Sequence, residues 1–211
     1  MRNITPSDKV LLVYRGLLVF LSLFTLITGW TISSITSGLP LIWLNGFKYY
    51  TTQTNILVLV WLILAIVWHN KPEALEKISG PIKGALTLFI TTTFVFFAIL
   101  LQASYHPTGF SAFSNIVLHY LIPIAFIVDW LLTETKIRYK WIYLPYWIIY
   151  PVCYLVFSFV HGTLTGDYIY PFLDISQRGI LRYIIIVIFL IGVGIAIASL
   201  YIAINRKRTE N

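Results

Sequence analysis

Tyr49-Tyr50-Thr51-Thr52-Gln53-Thr54-Asn55 runs without a break into Ile56-Leu57-Val58-Leu59-Val60-Trp61-Leu62-Ile63-Leu64-Ala65-Ile66-Val67-Trp68. The second part is apolar on every face, so a helix made of it must be surrounded by other apolar matter. With its polar head it reaches the roughly 20 residues needed to cross a hydrocarbon core of about 30 Å. That head, Thr51 to Asn55, is a run of five hydroxyl or amide side chains. In a helix Thr51 shares one face with Thr54 and Asn55, three and four positions on. Such a face has two uses: it lines a pocket, or it bonds to its own backbone and joins neighbouring helices.

Outward from this helix, the chain holds five more apolar runs of spanning length. The six lie near residues 10–32, 50–68, 84–103, 113–133, 141–160 and 180–204. A composition of 58% hydrophobic and 11% charged residues, with mean hydropathy +0.82, excludes a soluble domain. The fold class predicted is an all-α integral membrane protein, a single six-transmembrane-helix domain over residues 1–211. The first run follows Arg2 and Lys9 as a signal peptide would, but it is too long and no small-residue cleavage pattern follows, so it reads as a retained helix. The one cysteine, Cys153, excludes an intrachain disulfide.

The net charge of +7 invites a nucleic-acid partner, and its distribution argues against one. Eleven of the fifteen Lys and Arg residues fall at alternate ends of the spans: Arg2 and Lys9; Lys71, Lys77 and Lys83; Lys136, Arg138 and Lys140; Arg206, Lys207 and Arg208. By the positive-inside rule both termini are then cytoplasmic, in a multi-pass protein of the cell membrane, and the basic residues orient the chain and meet anionic lipid. Arg15, two turns into the first helix, is expected to snorkel to the headgroups, and that helix is expected to serve packing alone.

The remaining polar residues of the spans are few. Thr91-Thr92-Thr93 and Gln102 lie in the third, and Asn115, His119 and Pro123 repeat every fourth residue along the fourth. Pro123 has no N–H for the carbonyl of residue 119 and is expected to bend the helix there. An intramembrane imidazole is costly unless partnered and defaults to a functional candidate. At about 1.5 Å per residue His119 and Thr51 sit at similar depth in the outer half, whereas Asp129 lies about 15 Å deeper. For Asp129 the reading is an ion pair with the basic loop, or an anchor beside Trp130. Leu39 to Leu44 can lie in the interface as a roof, and in the last outer loop Asp167, Tyr170 and Asp174 either cap a pocket or shape a tight turn. Gly192 and Gly194 suit close helix packing.

No CxxC pair, HExxH, phosphate loop or GxSxG occurs, and no lysine lies in mid-membrane, so neither metal nor cofactor is implied. The chemical repertoire is hydroxyls, amides and a histidine. At Phe47-Lys48-Tyr49-Tyr50-Thr51, at Asn115 through His119 to Pro123, and at Tyr170-Pro171-Phe172-Leu173-Asp174, the chain resembles the androgen-induced family of multi-helix membrane hydrolases. It is similar also to bacterial six-helix membrane proteins without an assigned activity. The three motifs fall in the family's order. In that family an intramembrane threonine and histidine cleave fatty acid esters of hydroxy fatty acids, and the resemblance implies Thr51 and His119 as the catalytic pair.

Two functions from different classes follow. In the first, an outward-facing hydrolase of lipid esters, His119 takes the proton of Thr51, whose oxygen attacks the ester carbonyl. Asn55, Asn115 or Gln102 then donates to the oxyanion, and Thr54, Asp167, Tyr170 and Asp174 line the substrate site. In the second, a non-enzymatic lipid-binding or small-molecule carrier grips a headgroup with the same polar face. Either way the partner is membrane lipid or a lipid-like substrate.

Overall fold

The computed structural model describes residues 7–38 and 43–209. Among them, six helices are long and apolar enough to cross a membrane: Asp8–Ser37, Tyr50–Val67, Pro81–Leu101, Gly109–Thr133, Tyr143–Thr165 and Ile180–Arg208. They match the six predicted runs to within about five residues at each end. The described residues up to Arg138 form one compact unit and those from Tyr139 onward a second.

In the first unit, α1 (Asp8–Ser37) starts at Ser7, whose hydroxyl accepts from the Val10 N–H, and stops at Gly38, with φ at 68°. The expected interfacial roof lies mostly at 39–42, outside the described residues. A single turn, α2 (Trp43–Gly46), precedes α3 (Tyr50–Val67). The short α4 (Pro72–Ile78) leads to Gly80, whose φ of 61° and N–H, 3.2 Å from both carboxylate oxygens of Glu134, set the entry of α5 (Pro81–Phe96). A π-helical segment, Phe97–Leu101, completes the third span. The fourth is α6 (Gly109–Ile116), a second π-helical segment Val117–Leu121, and α7 (Ile122–Thr133). Each span packs on the next, and the fourth returns to α1, closing a four-membered bundle.

One end of this bundle is held by buried charge. Arg15 grips Asp129 with two bonds, Nε to Oδ2 at 2.8 Å and Nη2 to Oδ1 at 3.1 Å, and Lys83 Nζ reaches Oδ1 at 2.6 Å. Lys83 also bonds the Thr133 hydroxyl. Both cations lie over the Trp61 ring, 5.0 and 4.5 Å from its centroid, and the indole N–H donates to the Ile78 carbonyl at 2.7 Å. Three expectations change. Arg15 does not snorkel, Lys83 belongs to α5 rather than to the loop before it, and Asp129 pairs with these two residues instead of the basic loop at 136–140. Snorkelling is what a cation does when no anion is nearer than the headgroups; here a fork-shaped guanidinium meets a carboxylate inside the bundle.

The second unit contains α8 (Tyr143–Thr165), α9 (Ile175–Arg178) and α10 (Ile180–Arg208). α8 ends at Gly166, with φ at 74°. Gly162 lies so close beneath the Tyr168 ring that no Cβ fits between them. Asp174 caps α9: its Oδ1 accepts from the Ser176 hydroxyl at 2.6 Å and from the N–H groups of Ser176 and Gln177 at 2.9 and 3.2 Å. Those bonds, the hydroxyl's first, hold its carboxyl below the usual carboxylate range. The Asp167 carbonyl accepts from His161 Nδ1 at 2.9 Å, and Tyr170 stacks on Phe172 with centroids 5.3 Å apart. The Asp174 side chain thus has a local architectural role in its own unit, as do the Tyr170 ring and the backbone of Asp167. Of the two glycines in α10, Gly194 meets Ile148 of α8, while Gly192 is exposed with nothing close by.

Candidate functional site

Thr51 stands in the first turn of α3, where the chain swings from extended backbone at Tyr49 into the helix. Gln53 secures this entry by donating from Nε2 to the Phe47 carbonyl at 2.7 Å. Thr51 Oγ1 lies 3.1 Å from Nε2 of His119, in the middle of the second π segment. The other ring nitrogen, Nδ1, lies 3.2 Å from the backbone carbonyl of Asn115. A carbonyl can only accept, so Nδ1 carries the proton, Nε2 presents a lone pair, and the Thr51 hydroxyl donates to it. The Phe97 ring stacks on the imidazole with centroids 3.8 Å apart and planes at 28°. Tautomer and ring plane are therefore fixed by separate contacts.

The π turn makes this placement possible. Within it hydrogen bonds run five residues back, as Ile122 N–H to the Val117 carbonyl does. In that register the carbonyl facing residue 123 is that of Leu118, not of residue 119, and Pro123 has no N–H to offer it. Asn55 Nδ2 donates to the Leu118 carbonyl instead, at 3.1 Å, and also to the Thr51 carbonyl at 2.8 Å. One amide thus ties the backbone of the threonine to the backbone beside the histidine. Both N–H bonds of Asn55 are spent in this way, so it is not an oxyanion donor. Turning the amide over would set its oxygen against two carbonyls, which fixes the orientation. Its Oδ1 is buried without a partner, as is Oδ1 of Asn115.

The other candidates have different employment. Thr54 is fully buried, bonded to the Thr51 carbonyl at 3.2 Å and to the Thr93 hydroxyl at 2.8 Å, and Tyr50 meets Thr92 at 3.1 Å. These hydroxyls join α3 to α5, the role of interhelical glue. Gln102 is exposed and its Oε1 accepts from Tyr120 at 2.7 Å. The polar run at the head of α3 therefore divides by face: Thr51 to the histidine, Thr54 to the third span, Asn55 to two carbonyls. Two buried hydroxyls without partners, Ser22 and Thr25 of α1, escaped the sequence reading. Their only signal was that each falls on the same helical stripe as Arg15, at i+7 and i+10.

A hydroxyl donating to a neutral imidazole, whose second nitrogen is held in one tautomer, is the geometry of an activated nucleophile. No family model, no curated protein and no solved structure matches this chain.

Proposed function

We propose that the chain is a multi-pass protein of the cell membrane, with both termini cytoplasmic, that hydrolyses lipid esters from a site opening toward the outer face. The observation that carries this reading is the 3.1 Å approach of Thr51 Oγ1 to a His119 nitrogen left unprotonated by the bond at Nδ1. Threonine is a weak nucleophile, and a base within hydrogen-bond reach is the first requirement for using it. Oγ1 attacks the ester carbonyl while Nε2 takes its proton. Collapse of the tetrahedral adduct expels the alcohol, which leaves with that proton. Water, deprotonated by the same nitrogen, then attacks the acyl carbon, and the Thr51 oxygen leaves with that proton as the acid is released. The Asn115 carbonyl keeps the ring in one tautomer through both halves.

The orientation rests on charge. With Lys83 removed from the loop count, the remaining basic clusters still alternate with loops holding only Lys48 and Arg178. Purified protein given a fluorogenic lipid ester tests the activity. Thr51→Ala and His119→Ala are each expected to abolish turnover, and fluorophosphonate labelling is expected to require Thr51. Equal rates in all three proteins would overturn the mechanism; bound lipid with neither turnover nor labelling would identify a carrier.

A further inference from the structure

α1 carries two of the most enclosed hydroxyls among the described residues. Ser22 and Thr25 are 0% and 1% exposed, and neither oxygen has a hydrogen-bond partner. A helical hydroxyl ordinarily turns back to the carbonyl of the preceding turn. Later in the same helix Thr31 does so, to Ile27 at 2.8 Å, and so does Ser37, to Ser33 at 2.7 Å. Ser22 and Thr25 instead have no partner for their hydroxyls although both are buried, where partnered polar groups are the rule.

The buried ion cluster gives three helices a common level, because Arg15 lies over Trp61 and is bonded to Asp129. Thr25 is ten residues from Arg15 along α1, Thr51 ten from Trp61 along α3, and His119 ten from Asp129 along the fourth span. Each offset is about 15 Å, in the same direction. The buried residues of α1, Arg15, Leu18, Ser22, Thr25 and Leu26, form one stripe, and α1 packs on α3, on α6 and on the π segment that carries His119. Thr25 is thus at the depth of the Thr51–His119 pair, on the buried side of the helix that packs against both of theirs.

Ester cleavage needs a donor for the oxygen on which negative charge develops. Of the three amides, Asn55 has no N–H left and Gln102 is exposed against Tyr120, which leaves the Asn115 amide on the fourth span and the unpartnered hydroxyls of α1. We propose that Thr25 is a catalytic residue of this site, its hydroxyl donating to the ester carbonyl oxygen as Thr51 adds, with Ser22 one turn deeper as a second donor. The proposal rests on the ester-hydrolase reading. The Thr51 Oγ1–carbon bond forms as the carbonyl π pair moves onto the oxygen held by Thr25. The Thr51 proton passes to His119 Nε2. On collapse that pair re-forms the carbonyl, the bond to the leaving oxygen breaks, and the leaving oxygen takes the proton from His119. Thr25 neither gains nor loses a proton.

The full chain in phosphatidylcholine nanodiscs, assayed with a medium-chain 4-methylumbelliferyl ester, provides the test. Thr25→Val, which keeps the shape and deletes the donor, is expected to lower kcat roughly 10²- to 10³-fold with KM changed less than about twofold. Ser22→Ala is expected to have a smaller effect, and Thr25→Ser to recover most of the rate. Should Thr25→Val fail to fold, Thr25→Cys replaces it, with the same fall in kcat expected because a thiol is a weak donor. Wild-type kcat in the valine or cysteine variant, where Thr51→Ala is inactive, would overturn the proposal and leave the hydrolase reading standing. A fall in kcat that Thr25→Ser does not reverse would overturn it too, as the mark of packing. Turnover by the wild type that does not depend on Thr51, or none at all, would overturn both.

Discussion

Thr51 reaches a ring nitrogen that is a base only while it holds no proton, and the bond from Nδ1 to the Asn115 carbonyl decides which nitrogen that is. Protonation at Nε2 removes the base and turns the nitrogen into a competing donor. Hydrolysis is therefore expected to fall on acidification along a single ionisation and to be level above it, measured as kcat/KM against pH in folded protein with chemistry rate-limiting. Because the third partner is a backbone carbonyl, no side-chain substitution at Asn115 should erase that limb, whereas a rate flat across the acid range would exclude His119 as the base. At this scale the sequence was informative about Thr51 and His119, because helical rise and the alternating topology put them at similar depth. It was silent on what the amides do. Asn55 looked like a donor for substrate, but its two N–H bonds go to carbonyls 63 and 4 residues away in sequence, and the longer pairing leaves no mark in local pattern.

Among the elements, the second π segment is the one on which the site depends. Its register moves the carbonyl orphaned by Pro123 to Leu118, where Asn55 meets it. Pro123→Ala restores an N–H that competes with Asn55 for that carbonyl or draws the turn back toward an α register, rotating His119 relative to Thr51. Turnover is expected to drop by about tenfold or more, while the melting temperature holds or rises, since a backbone hydrogen bond is gained. A variant with wild-type turnover would show that the wide turn is incidental to the pair. The six spans were legible because long apolar runs leave little choice of structure. The wide turns were not, because one hydrogen bond drawn five residues back instead of four has no compositional signature; only Pro123 hinted that the helix was irregular.

For the first unit as a whole, the Arg15–Asp129–Lys83 cluster ties the first, third and fourth spans together, with Trp61 of the second beneath the cations. Deleting the carboxylate strands two buried cations. Asp129→Ala is expected to cost about 3–5 kcal/mol, read as an earlier unfolding transition in detergent. Replacing all three charges together with Met, Leu and Met should recover much of that loss, because desolvation then falls away with the attraction. If the single variant unfolds like the wild type, the cluster contributes little. The sequence misplaced both cations for a physical reason: position along a span assigns Lys83 to a loop and Arg15 to the headgroups, and it cannot see an anion 46 or 114 residues further along the chain.

The other π segment, Phe97–Leu101, has a consequence for insertions and deletions. A helix turn closed from Gln102 back to Phe97 contains one residue more than an ordinary turn. Removing one residue there closes it to an α turn and leaves both flanks in their packing register. Removal elsewhere turns everything beyond it by about 100° and shifts it about 1.5 Å. Ile99, 62% exposed, is the residue to delete, and Val60, 48% exposed in the uninterrupted α3, is the comparison. The shortened third span should still fold, with a melting temperature within a few degrees of wild type, and the shortened α3 should not; equal damage would mean that the surplus residue is indispensable to the bundle. Phe97, which stacks on His119, sits at the start of that surplus. Length variation in related chains would therefore be expected to collect at this turn, where a lost residue would alter the setting of the histidine and spare the fold.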